Sequence, residues 1–504
     1  VTADAIWEAL AQRVREQTEL RRTMALLSWD RQTTMPPAGV EARARTTSTV
    51  AVLRHRRLID PELGELLDQA AAGPLDVHRA AVVRLTRRDR DQALRLPPEL
   101  VRRLGLAATR GNAAWQVARE QRDFTLFQPH LEEMVGLKRE EADLIGYDGG
   151  ERYDALLDDY EPGMRTAQVE PMFAALTEEL AVLLGQILAA PARPQPPFAG
   201  RIFDDDDQMR FSQRLLPDLG FDLDAGRLDR SAHPFSTAIA LGDVRITTRM
   251  YEHDPFPCVL ATIHEAGHGM YEQGMNPEYE DLPVSSPPSL GLHESQSRLW
   301  ENIVGRSRGF WRHYTPIMAE FMAQSLVGTS AEDAYRHVNR VEPSFIRVDA
   351  DEVTYNLHVL IRFELELALM RDQLEVADLP GAWNDAYERR LGIRPSHDAD
   401  GVLQDTHWSG GAFGYFPTYT LGTIYSAMLW DRITVDLPDI EGQVATGDFA
   451  PLLGWLRQHV HHQGSLYDGA ELIQRVTGSE LDHRPLMRYL WGKFGPLYEL
   501  EGGP

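Results

Sequence analysis

The chain has 504 residues, 43% hydrophobic and 25% charged, a composition that suits a globular protein with a large core. Its formal net charge of −25 argues against nucleic acid or anionic membrane as a partner. A single cysteine, Cys258, rules out an intramolecular disulfide and a cysteine-built metal cluster, and it points to a reducing, cytoplasmic setting.

From the start, residues 5–188 read as a series of amphipathic helices. Examples are Ile6, Leu10 and Val14 at four-residue steps, the run 99–106 and the run 169–188. Residues 1–22 lack the apolar centre of a signal peptide, and no run approaches 18 apolar residues free of charge, so no membrane span is expected. Breaks fall at Met35-Pro36-Pro37 and Glu161-Pro162-Gly163. The proline-rich stretch 191–197 is either a domain boundary near 191–200 or a stiff connection within a single domain spanning 1–504. Asp204 to Asp207 read as a helix N-cap and first turn. Residues 236–241 and 244–248, joined by Gly242-Asp243, read as a β-hairpin, and a small sheet there could wall a cleft. A long helix is expected over 351–374, with Asp349 and Glu352 as a capping box.

Just after the hairpin, residues 264–268 read His-Glu-Ala-Gly-His inside a helical apolar pattern that starts near Pro255 and Pro257. Two histidines four apart lie one turn apart on one helix face, so both imidazoles can reach one metal ion. Glu265 is placed to take a proton from water activated by that metal. The alternative is a helix with two surface histidines. A catalytic zinc site needs a third protein ligand, and Glu294 is the next strong candidate downstream. Glu294 could instead be a solvated carboxylate paired with Arg298 four residues on, with Glu301 as the fallback ligand.

Further clusters sit where plain helical scaffold would not put them. These are His233-Pro234-Phe235, Asp243 to Thr247, Ile346 to Asp351, and Gly401 to Trp408 leading into the glycine- and aromatic-rich stretch 410–419. Together with the metal helix, His293-Glu294-Ser295, Trp29-Asp30-x-x-Thr33-x-Met35-Pro36 and Tyr153 to Asp158, they resemble the M32 metallocarboxypeptidases, the carboxypeptidase Taq family. The resemblance covers nearly the whole chain. It implies a mainly α fold, a large helical zinc-peptidase fold with a small β-sheet beside a deep active-site groove, usually as a homodimer. It implies removal of single C-terminal amino acids with broad specificity and little activity on C-terminal proline. Position by position, it makes His264, His268 and Glu294 the metal ligands and Glu265 the general base.

On that footing the ion is Zn2+, with Co2+ or Mn2+ as substitutes for the same nitrogen and oxygen ligands. The substrates are peptides with a free C-terminal carboxylate. The tetrahedral oxyanion needs a donor beside the metal, for which His407 and Tyr419 are candidates with Tyr415 behind them; the alternative is aromatic packing around a glycine-rich turn. Arg245 and Arg347 suit the terminal carboxylate through paired N–H groups, unless each is tied up in an ion pair, Arg245 with Asp243 or Arg347 with Asp351. An oligoendopeptidase or peptidyl dipeptidase of similar helical build is the competing reading. A purely structural zinc is disfavoured by the lone cysteine.

Overall fold

Thr2 caps the first helix, Ala3–Thr33, by accepting from Ala5 N, and Leu10, Ala11, Val14 and Thr18 form its buried stripe. The computed structural model describes residues 2–191 and 198–501. The buried stripe packs with Leu63 and Leu67 of Pro61–Ala71 and with Val82 and Val83 of Val77–Arg95 into a small core. Leu282 and Val284, from the loop that precedes the Glu294 segment, close this core. A second and much larger core joins most of the helices from Pro98–Gln121 onward. The protein is 69% helical with one three-stranded sheet, which is the mainly α architecture expected.

The sheet comprises β1 (Gly226–Arg230), β2 (Ser236–Ala240) and β3 (Asp243–Thr248), in the order β1-β3-β2. The hairpin forms as read: β2 runs antiparallel to β3, with Ser236 opposite Ile246 and an irregularity between Ala238 and Ala240. The parallel partner β1, with Gly226 opposite Val244, was not foreseen. Two of its five residues are arginine and one is aspartate, so it carries no apolar alternation to read. Val244 and Ile246 bury one face of β3, and Thr248 Oγ1 donates to Cys258 O at 3.2 Å, fixing the sheet to the start of the following helix.

Asp204 does cap the helix Asp205–Leu219, accepting from Asp206 N and Asp207 N. The long helix is shorter than read, Thr354–Met370, and its cap differs. Asp351 accepts from Val353 N, Thr354 N and Thr354 Oγ1, while Glu352 turns inward. Of the linker-like stretch, residues 192–197 lie outside the described residues. One helix, Thr166–Ala189, is long and apolar enough to cross a membrane by length and composition. Here it carries Glu170, Glu178 and Glu179 and sends Phe173, Leu176 and Leu180 into the main core.

Candidate metal centre

The metal helix runs Phe256–Gln273, with proline at its first turn and Asp254 Oδ1 accepting from Phe256 N at 3.0 Å. His264 and His268 stand one turn apart, their rings 4.9 Å apart and nearly perpendicular. Glu294 comes from a separate helix, Leu290–Arg298, capped by Ser289. Its N-terminus rests on residues 160 and 161: Leu290 N donates to Tyr160 O at 2.9 Å, and the buried Glu161 carboxylate accepts from Gly291 N.

Two glycines let these elements approach closely. A Cβ on Gly267 would lie 2.7 Å from Ser297 Cα and 2.8 Å from Gln296 O, so the metal helix and the Glu294 helix touch backbone to backbone. On the opposite side, a Cβ on Gly422 of the helix Pro417–Asp436 would lie 2.6 Å from the Glu294 side chain.

His264 Nε2 and His268 Nε2 both face Glu294 Oε2, at 3.6 and 3.3 Å, and the three donor atoms lie within 4.8 Å of one another. Glu301 is not the third member of this set. It sits behind His264, its Oε2 2.8 Å from Nδ1, on a π-helical turn, Leu299–Gly305. Arg298 and Arg306 contact the same carboxylate at 3.3 and 3.0 Å and hold it well below the usual carboxylate range against the opposing effect of burial. An ionised Glu301 accepts a hydrogen bond from Nδ1–H of His264 and so turns Nε2 toward Glu294. With its ring neutral, His264 offers the Nε2 lone pair beside His268 Nε2 and Glu294 Oε2, and two imidazole nitrogens with one carboxylate oxygen are a donor set that fits a divalent metal. Glu294 does pair with Arg298, Nε to Oε1 at 2.7 Å, but it is buried rather than solvated, and Oε2, which accepts from Ser297 Oγ at 3.1 Å, is the oxygen that faces the histidines.

Glu265, 6% exposed, is pushed up to about 7, chiefly by burial, with His264 opposing and Glu294 and Glu301 adding. Burial tends to push His264 down, but Glu294 and Glu301 prevail and raise it to about 8. His293 stacks on His268 with ring centroids 4.4 Å apart and bonds Glu272 at 3.0 Å.

A second cluster gathers His407, Tyr415, Tyr419 and Arg347. His407 Nε2 lies 3.2 Å from the Tyr419 hydroxyl, and the Tyr415 and Tyr419 rings are 5.4 Å apart. Burial raises both tyrosines, and the charge of Glu294 contributes, so both lie within the field of the metal centre. Arg347 stacks 4.8 Å over the Tyr419 ring. Its ion pair is with Asp405, at 2.9 Å, and not with Asp351; Nη1 adds a bond to the Tyr355 hydroxyl at 3.1 Å. Arg245 does pair with Asp243, through Nε at 2.7 Å and Nη2 at 2.8 Å, and lies 4.3 Å over the Trp29 ring.

Sequence reading gave no role to Asp405, which also binds Arg362 at 2.7 Å, although it lay inside a cluster already singled out. It also missed Glu366, a fully buried carboxylate that accepts from Trp408 Nε1 (2.7 Å), Gly414 N (3.1 Å) and the Tyr153 hydroxyl (2.6 Å), and so braces the loop carrying His407 and Tyr415. The one available signal was a glutamate inside the otherwise apolar run Leu365 to Met370.

The family model for carboxypeptidase Taq (M32) metallopeptidases matches residues 9–494. Thermostable carboxypeptidase 1 of Thermus thermophilus is 44% identical, over 99% of this chain and all of that protein. Carboxypeptidase 1 of Bacillus subtilis is 36% identical over 95% of each. The crystal structure of an M32 carboxypeptidase from Deinococcus radiodurans superposes with a TM-score of 0.96 at 40% identity, covering 98% of this chain and all of that one.

Proposed function

We propose a reaction and an ion for a chain that belongs to the carboxypeptidase Taq (M32) metallopeptidase family and is a metallocarboxypeptidase, a peptide hydrolase. In this reading it removes single C-terminal amino acids from peptides, with broad specificity, and its ion is Zn2+, replaceable by Co2+ or Mn2+. The observation that carries it is the convergence of His264 Nε2, His268 Nε2 and Glu294 Oε2 beside a buried Glu265.

A bound zinc ion supplies Lewis acidity toward water and the scissile carbonyl. Glu265 acts as general base, accepting the proton of the attacking water and passing it to the leaving amine. Burial raises the pKa of its carboxyl and so favours the protonated form it passes through, an effect that a bound dication would oppose. His407 and Tyr419 donate to the developing oxyanion, with Tyr415 lining the same side. Arg347 takes the substrate's terminal carboxylate, since it stands over Tyr419 within that cluster. Arg245 has its Nε and Nη2 engaged by Asp243, so its assignment to the carboxylate end rests on the family resemblance alone. The single domain 1–504, a homodimeric assembly and a cytoplasmic location belong to the same reading and rest on the family and the lone cysteine.

Mass spectrometry of an unmodified peptide over time tests the reaction. Stepwise loss of single C-terminal residues is expected, abolished by chelation and restored by zinc. Cleavage of a C-terminally amidated peptide at the same rate would instead indicate an endopeptidase. Glu265→Gln is expected to keep the metal and lose about 10²- to 10⁴-fold in kcat. Arg347→Met is expected to raise KM for free-carboxylate peptides.

A further inference from the structure

We propose that Lys493 and Tyr489, on the last helix Arg484–Tyr498, are positioning residues for the metal centre: they grip the π-helical turn that aims Glu301 at His264. The inference rests on the reading of His264 as a metal ligand.

Lys493 is one of only two lysines in the chain, and its side chain is 8% exposed. All three of its N–H groups are used: on Glu352 Oε2 at 2.6 Å, on the Tyr489 hydroxyl at 3.0 Å and on the carbonyl of Asn302 at 3.1 Å. Tyr489 then donates its own proton to that same carbonyl at 2.9 Å. Asn302 follows Glu301 directly and lies at the middle of the π-helical turn. Two donors from a distant helix therefore hold one peptide group next to the carboxylate that fixes the His264 tautomer.

A buried ammonium–carboxylate pair is a poor way to gain stability, since apolar residues of similar volume fill such a site at lower desolvation cost. What the pair does here is fix geometry. A π-helical turn departs from regular helical spacing, is rare, and occurs frequently at functional sites. Glu352 extends the grip to the residues just before Thr354–Met370, the helix that brings Tyr355 under Arg298 at 4.0 Å. At the other end of the turn, Arg306 holds Glu301 Oε1, and the Asn339 amide holds the Arg306 carbonyl at 2.9 Å.

The test is the zinc dissociation constant of the full-length apo-protein, measured by competition with a chromophoric chelator. Lys493→Met is expected to weaken zinc about tenfold, and Tyr489→Phe by a smaller factor in the same direction. Combining Lys493→Met with Glu301→Gln is expected to cost no more than Glu301→Gln alone, within about twofold, because the lysine acts through the glutamate. Lys493→Arg, which keeps a donor at the Asn302 carbonyl, is expected to recover part of the loss. Unchanged zinc affinity in Lys493→Met, or losses that multiply in the double variant, overturns the proposal. Should Lys493→Met not fold, Tyr489→Phe, which deletes one hydroxyl, decides by the same measurement: full affinity there overturns it. His264→Ala keeps the two readings apart. If that variant binds zinc normally, the ligand assignment falls; if it loses zinc while Lys493→Met does not, only the positioning role falls.

Discussion

Two charged networks flank the site and use the same parts: a buried carboxylate, two arginines and a histidine. Behind His264, Glu301 lies between Arg298 and Arg306, and its oxygen is 2.8 Å from Nδ1. Beneath His407, Asp405 lies between Arg347 and Arg362, and its oxygen is 3.8 Å from Nδ1. The outcomes are opposite: His264 is raised to about 8, whereas burial, with Asp405 opposing and the two arginines adding, takes His407 down to about 4. Two differences separate them: His264 has a second carboxylate, Glu294, and hydrogen-bonds Glu301 directly, whereas His407 faces only Asp405, one ångström farther off, together with two arginines. The first network fixes the orientation of the His264 ring. The second keeps a neutral imidazole next to a tyrosine hydroxyl while its carboxylate is spent on guanidinium groups.

The comparison can be tested by removing each carboxylate in turn. Asp405→Ala leaves Arg347 and Arg362 buried without their anion and is expected to destabilise the fold by about 3–5 kcal/mol, read as a lowered thermal midpoint. Glu301→Gln keeps the volume, and Arg298 retains Glu294, so the fold should hold while zinc affinity falls about 10- to 100-fold. A stability loss in this variant as large as in Asp405→Ala would erase the distinction.

Proton competition separates the two histidines by pH. Below its pKa of about 8 the His264 ring is protonated and must release a proton before it can bind metal. Apparent zinc affinity is therefore expected to rise with pH, by up to about tenfold per unit, and to flatten above pH 8. His407, at about 4, stays neutral throughout and adds no step between pH 5 and 9. Zinc titrations from pH 6 to 9 check this, and a flat profile contradicts it. Tyr419→Phe, which removes the hydroxyl facing His407 Nε2 and with it one donor to the developing oxyanion, is expected to lower kcat about 10²-fold, read in steady-state kinetics.

Local spacing explains what could be read in advance. His264, Glu265 and His268 follow from helical period, and the hairpin 236–248 follows from its alternation and its turn. Glu294 and Arg347 needed the family resemblance, because nothing in a lone carboxylate or arginine says what it will face after folding. Glu301 was visible only as a rival for Glu294, since its true place depends on a π-helical turn that leaves no pattern in sequence. Asp405 with Arg362, Glu366 with Tyr153 and Lys493 with Glu352 join residues 43, 213 and 141 positions apart, and strand β1 pairs in parallel with one that begins 13 residues after it ends. Such partnerships are properties of the folded arrangement. The helix cap was misjudged for a smaller reason: the helix begins at Thr354, so Asp351 and not Asp349 accepts from the N–H groups of Val353 and Thr354, and Glu352 pairs with Lys493.

The clasp on the Glu294 helix, formed by Gly267 on one side and Gly422 on the other, bears on how the site can evolve. Most cofactor cages are adjusted by trading side-chain sizes around them. Here the distance between the element bearing two donors and the element bearing the third is the thickness of bare main chain, which no rotamer can widen by degrees. A single added methyl at position 267 would have to wedge the two elements apart. Adaptation to another ion or temperature is therefore channelled away from the inner contacts and into the outer ring of arginines and carboxylates, where changes can be graded.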